Sequence, residues 1–357
     1  MNDMDNLQKI EEIDPSGMLK AEEGFYNQLT ESKDIIGKTD LSVLRGKDFK
    51  GLAILGMGGS GFSGDIIKAL TADEIKIPVE VVKGYDLPAF IGKGWLVMPV
   101  SYSGNTEETI SATKQAAGRG ADILIECSGG KLEGLAQESG YSLIKIPSGL
   151  QPRGAIGYLF YPAYLALGIL GLINIEEDDE KDALELIREK SALFNRNTPA
   201  RRNPAKKLAI AIGDSLPIIY GSEGICSALA YRLKCEINEN GKTPCWWNNF
   251  PELNHNETVG WERLAGITTK FALIAFRNPD ESPKMRARID VTLGLIKENV
   301  GKVIEIPVEG RSKLARALST MYLGDIASVY HALLTGVDPT PVLKIESLKK
   351  ELARLDR

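Results

Sequence analysis

The 357 residues are 43% hydrophobic and 25% charged, ordinary for a globular chain and long enough to bury two separate cores. The 43 Lys and Arg against 48 Asp and Glu leave a formal charge of −5, which argues against a nucleic-acid binder, since such a protein needs basic side chains to displace counterions. Four cysteines without C-x-x-C spacing and only two histidines argue against a zinc site or a disulfide framework, so no metal is expected, and scattered thiols suit the cytoplasm.

The N-terminal "MNDMDNLQKIEEIDPSG" is acidic and has no apolar centre, so it is not read as a signal peptide. Residues 1–40 are read as an N-terminal helical segment. Beyond them, "LAILGM" (52–57), "VEVVKG" (79–84), "GWLVMPVS" (94–101), "ADILIECS" (121–128) and "YSLIKIPSG" (141–149) form a series of five short buried strands. A helix is expected at "SGDIIKALTAD" and another from Thr106 to about Arg119. Residues 154–175, "GAIGYLFYPAYLALGILGLINI", are uncharged over a length that could span a bilayer. Their glycines and proline, and the lack of flanking basic clusters, favour a fully buried helix at a domain or subunit interface, with no membrane contact.

The charged stretch "EEDDEKDALELIREKSALFNRNTPARRNPAKK" reads as a solvated helix plus a linker and places a boundary near residue 195. The first domain is then 41–195 and the second 196–357. Strands resume at "LPIIYGSEG" (216–224), "FALIAFRN" (271–278) and "GKVIEIPVEG" (301–310), the last two separated by a helical "ESPKMRARIDVTLGLIKEN". An amphipathic helix from Ser312 to about Thr335 closes the series. Strand–helix alternation at these lengths gives an α/β fold: two domains, each a parallel β-sheet flanked by helices.

Two loops carry candidate chemistry in the first half. Gly56, Gly58 and Gly61 spell G-x-G-x-x-G, the dinucleotide fingerprint, yet "VEVVKGYD" ends in Lys83 and Gly84 where a ribose-binding acid belongs. The second loop, "SYSGNTEET" (101–109), opens a helix with Ser101, Ser103 and Thr106 in six residues. Hydroxyls at a helix N-terminus suit a phosphate monoester, whereas the same spacing also fits a helix cap with a glutamate partner. Spacing alone leaves both readings open.

In the second half, "YRLKCEINENGKTPCWWNNFPELNHNETVGWE" (231–262) gathers three tryptophans and His255. Asn238 and Asn240 bracket Glu239, and Asn254 and Asn256 bracket His255; such amides could hold a carboxylate and an imidazole for proton transfer. The plainer alternatives are a solvated carboxylate at a helix end stopped by "NG", a loop histidine, and an aromatic patch at "PCWWNNFPE" for a partner. His331, on an apolar helix, reads as a packed side chain. Cys235 and Cys245 form no convincing triad.

"GMGGSGFSGD", "VSYSGNTEET", "QPRGAIGY" and "INENGKTPCWWNNFPELNHNE", in that order, together with the closing "GVDPTPVLKIESLKKEL", resemble the bifunctional phosphoglucose/phosphomannose isomerases, a branch of the sugar isomerase (SIS) family. The resemblance implies two SIS-type domains and interconversion of glucose 6-phosphate or mannose 6-phosphate with fructose 6-phosphate through a cis-enediol, without NAD or other cofactor. It implies that Gly58, Gly59 and Ser60 contact the sugar phosphate and that Ser101, Ser103 and Thr106 hold its phosphate. It further implies Glu239 as the C1/C2 base and Arg153 as the cation that stabilises the enediolate. His255, supplied by the neighbouring subunit of a homodimer, would open the ring, helped by Lys349 or, as a weaker match, Lys344. The alternative carried beside this reading is a non-catalytic SIS-type regulator that binds a sugar phosphate.

Overall fold

The computed structural model describes residues 3–355. Three helices lead in: α1 (Leu7–Ile13), capped by the Asn6 side chain, α2 (Met18–Glu23) and α3 (Phe25–Gly37). There follow β1 (Gly51–Leu55), α4 (Gly58–Thr71), β2 (Val79–Val82), β3 (Trp95–Ser101), α5 (Glu107–Gly118), β4 (Asp122–Cys127), α6 (Gly130–Ser139) and β5 (Ser142–Lys145). The five strands make one parallel sheet in the order β2-β1-β3-β4-β5. Every residue of β1 and β3 is buried, which is why both read as unbroken apolar runs. The strand order reverses between β1 and β3, so a crevice opens beyond their carboxyl ends.

The apolar run becomes α7 (Ile156–Ile169), which packs against α3 and α4 and is buried along most of its length. After it come α8 (Glu177–Phe194) and α9 (Pro204–Ile212). The second half contains β6 (Leu216–Ser222), α10 (Ile225–Glu239), β7 (Trp246–Phe250), the single-turn helices α11 (Glu257–Gly260) and α12 (Ala265–Thr268), β8 (Phe271–Arg277), α13 (Pro283–Ile296), β9 (Lys302–Pro307), α14 (Lys313–Leu334) and α15 (Leu343–Leu355). Its sheet is also parallel, in the order β7-β6-β8-β9. One apolar core runs from the N-terminal helices through α7 and α10 to α14, and a smaller core lies on the other side of each sheet. Among the described residues no helix is long and apolar enough to cross a membrane.

Four expectations change. The stretch "WWNNF", not read as a strand from the sequence, is β7, an edge strand; its alternation is hidden because Trp247 packs edge-on to Tyr231 while Trp246 stays 48% exposed. The helix ending near Thr335 is not amphipathic: α14 is buried on nearly every residue, with Asp325 paired to Arg232 and His331 bonded to the Gly213 carbonyl. Nor does α14 close the series, since α15 follows it. Finally, α8 is only partly solvated, because Ala183, Ile187 and Phe194 are buried on the side facing α14.

Candidate active site

The glycine loop joins β1 to α4. Helix α4 opens at Gly58, and Met57 before it offers no side-chain cap, so the first-turn amides are left to other partners. A Cβ on Gly59 would stand 3.2 Å from the Pro152 carbonyl oxygen and 3.5 Å from the Arg153 Cα, so this loop lies close against the Pro152–Ala155 turn, and a side chain there would push the turn back by a few tenths of an ångström. Ser60 is buried, and its Oγ accepts from the Tyr102 amide at 3.1 Å. That bond ties the glycine loop to the hydroxyl loop after β3.

In the hydroxyl loop, Gly104 has φ +65°, and a side chain there would drive its Cβ to 1.8 Å from the Gly129 carbonyl oxygen. Thr106 occupies the cap position of α5 but makes no side-chain capping bond; its Oγ1 pairs instead with Ser101 Oγ at 2.9 Å. Ser103 Oγ accepts from the Asn105 amide at 3.2 Å. The structure therefore favours the open helix end over the capped one. A cleft of about 310 Å³ lies here, lined by Tyr85, Ser103, Asn105, Thr106, Glu107, Glu108, Lys349 and Leu352. Lys349 reaches it from α15, whereas Lys344, in the first turn of that helix, is exposed outside it.

Arg153 is buried in the turn that follows the first sheet. Its Nε donates to Asn240 Oδ1 at 2.6 Å, and Nη2 donates to the carbonyls of Pro339 and Thr340 at 2.7 and 2.8 Å. Nη1 faces Glu239 Oε2 at 3.5 Å. Glu239 is the last residue of α10, its side chain 30% exposed, so the helix end presents a carboxylate to a fixed guanidinium. Lys242 braces the same corner by donating to the carbonyls of Glu239 and of Pro339, the latter at 2.9 Å. Burial, with Arg153 next, lowers the Lys242 amine from its ordinary value.

Beneath this pair lies a nest of buried charge. Arg232 holds Asp325 at 3.0 Å and Glu236 at 2.9 Å, and donates to the Arg153 carbonyl at 2.7 Å. Burial raises Glu22, Glu236 and Asp325 above ordinary carboxylate values. Sequence reasoning missed Arg232, Asp325 and Lys242, although the four-residue spacing of Arg232 and Glu236 on a helix is an ion-pair signal.

The bracketing amides act elsewhere than expected. Asn238 donates to the Thr243 carbonyl and Asn240 binds Arg153, so neither holds the Glu239 carboxylate. Asn254 bonds Thr292, and Asn256 bonds Glu252 and the Glu257 amide; neither holds His255. His255 ends the turn Glu252–His255, exposed, and no hydrogen bond or ion pair among the described residues links it to Arg153, Glu239 or the hydroxyl loop. His331 is a packed side chain, as its apolar neighbours suggested: buried, bonded through Nε2 to Gly213, its basicity lowered by burial.

Two parallel sheets sharing a helical core, with a hydroxyl loop on one and a carboxylate–guanidinium pair between them, define a protein of the SIS class. The description "Bacterial phospho-glucose isomerase C-terminal SIS domain" matches residues 201–352. Solved structures agree on the fold: a glucose-6-phosphate isomerase like protein from Thermus thermophilus aligns over 95% of this chain and 98% of its own, with a TM-score of 0.60 at 20% identity. The C-terminal domain of glucosamine-fructose-6-phosphate aminotransferase from Francisella tularensis aligns over 90% and 97%, with a TM-score of 0.66 at 17% identity. Among curated relatives, the bifunctional phosphoglucose/phosphomannose isomerase of Caldicellulosiruptor bescii is 40% identical over 90% of this chain and 94% of its own length. The protein of the same name from Aquifex aeolicus is 36% identical over 94% and 98%. The chain belongs to the bifunctional phosphoglucose/phosphomannose isomerase family.

Proposed function

We propose that this chain interconverts glucose 6-phosphate and mannose 6-phosphate with fructose 6-phosphate through a cis-enediol. The two aldoses differ only at C2, so one enediol, reached from either epimer, serves both without a second site. The first SIS unit is taken as residues 41–195 and the second as 196–357.

The observation that carries this reading is the 3.5 Å approach of Arg153 Nη1 to Glu239, with Arg153 seated against the glycine loop. The Glu239 carboxylate takes the proton from C2 and returns it to C1, while the guanidinium faces the charge that grows on the enediolate oxygens. Ser101, Ser103 and Thr106, with the uncapped turn of α5, hold the phosphate; Gly58, Gly59 and Ser60 line the sugar. Lys349, already in the cleft, assists ring opening. His255 moves the proton between the ring oxygen and O1. Its exposure in a single chain supports delivery across the interface of a homodimer. Four free cysteines support a cytoplasmic setting.

A coupled assay with both aldose phosphates tests the reaction: turnover of each is expected, and sugar-phosphate binding without turnover would leave the regulator. Glu239→Gln is expected to lower kcat by about 10²- to 10⁴-fold and to abolish solvent-proton exchange at C2 while retaining affinity. Retained exchange removes Glu239 from its role. Mixing His255→Ala with Glu239→Gln chains tests the dimer. Half the dimers would be mixed, each with one of two sites intact, restoring about a quarter of wild-type activity; no recovery places His255 within its own subunit's site.

A further inference from the structure

The Arg153 guanidinium carries five N–H donors in one plane. Three are spent on the protein: Nε on Asn240, and Nη2 on the Pro339 and Thr340 carbonyls. Only Nη1 is left facing Glu239. Of the three acceptors, Asn240 alone is a side chain, fully buried, and it sits at the C-cap of α10 immediately after the proposed base. Its own amide donors are both used, on Glu236 Oε2 at 3.0 Å and on Ser328 Oγ of α14 at 2.8 Å. Ser328 in turn spends its proton on the Asp325 carbonyl, so its oxygen is the acceptor toward Asn240. The amide orientation is thereby fixed, with oxygen toward Arg153 and nitrogen toward Glu236 and Ser328.

We propose that Asn240 is a positioning residue: its side chain, held by Ser328 and Glu236, sets the rotation of the Arg153 plane so that Nη1 meets the oxygens of the enediolate. This rests on the isomerase reading and adds to it a residue whose side chain touches neither substrate nor the Glu239 carboxylate. An aspartate of the same shape could not serve, because it has no protons to give Ser328 and would set a second buried carboxylate beside Glu236. The effect belongs to the transition state, where charge develops, rather than to phosphate binding, which lies at the hydroxyl loop.

Asn240→Ala is expected to lower kcat by about tenfold to a hundredfold with KM unchanged within about twofold. Ser328→Ala, a smaller change that leaves the Arg153 bond in place, is expected to lower kcat by about threefold to tenfold, and it reports even if Asn240→Ala fails to fold. In an Arg153→Lys background the Asn240→Ala loss should vanish, since lysine has no plane to orient. Additive losses, or a rise in KM at constant kcat, overturn the proposal. Calorimetry separates it from the parent reading. A hydroxamate mimic of the enediolate should lose affinity for Asn240→Ala while fructose 6-phosphate does not. Equal loss of both ligands overturns the role of Asn240 alone, whereas a wild-type chain that binds neither ligand removes the isomerase reading itself.

Discussion

After β3, Ser101 and Thr106 pair with each other at 2.9 Å and leave the first turn of α5 without a side-chain cap. After β8, the matching position of the second sheet, Ser282 accepts from the Met285 amide at 3.1 Å and closes α13. The loop before α13 is acidic, and Ser222 at the end of β6 donates to Glu281 at 3.0 Å. One helix end is left without a side-chain cap while its counterpart is stoppered by its own serine. The second unit contributes through the opposite end of a helix, the C-terminus of α10 that carries Glu239. On the proposed reading, the same topology, used twice, is divided between binding charge and moving a proton.

The strongest way to break this division is at the residue that joins the two halves. Arg153→Lys cannot reach Asn240, Pro339, Thr340 and the Glu239 side together, and kcat should fall by about 10²- to 10³-fold in steady-state assays. A loss below tenfold would show that the halves do not work through it. Next, Thr106→Val should raise KM for the sugar phosphates by about tenfold to a hundredfold with little change in kcat, because a bond to a charged group is lost. Ser282→Ala should leave KM untouched; if both variants raise it, the asymmetry between the helix ends is not functional.

A third test uses one glutamate from each sheet. Glu126 of β4 stands opposite Val100 and is sealed by β5, with neither carboxylate oxygen bonded. Glu305 of β9 stands on an edge strand, exposed and paired with Arg277. Burial raises Glu126 well above its ordinary value near 4.5. The protonated form is favoured in the fold, so its contribution is complete below about pH 4.5 and is lost as pH rises through the raised value. Glu126→Gln should therefore stabilise the protein at pH 8, by about 1–3 kcal/mol, and much less at pH 4. Denaturant titrations at the two pH values check this, and an equal effect at both would contradict it. The smallest effect is Ser282→Ala itself, expected to cost about 1 kcal/mol of stability in the same titrations through loss of the cap.

Much of the frame was legible because β1, β3, β4, β6 and β8 are buried on almost every residue and so appear as uninterrupted apolar runs. β7 was not, since an edge strand with half-buried asparagines shows neither an apolar run nor alternation. The hydroxyl loop was visible as chemistry, but its use as an open helix end depends on Ser101 and Thr106 pairing with each other, which spacing cannot distinguish from capping. Glu239 and Arg153 were each singled out, yet their juxtaposition joins positions far apart in the chain. The amides misled for the same reason: Asn240 neighbours Glu239 along the backbone while its side chain turns to Arg153.

The long reach of Arg153 also bears on how the catalyst comes into being. Its acceptors lie 87 and 186 residues downstream, the farther ones just before α15. A nascent chain that already contains every strand of the first sheet still lacks the carbonyls that anchor this guanidinium. On the proposed reading the Arg153 site is therefore incomplete until Thr340 has been made, and a product stopped short of Pro339 would lack both carbonyls that hold Nη2.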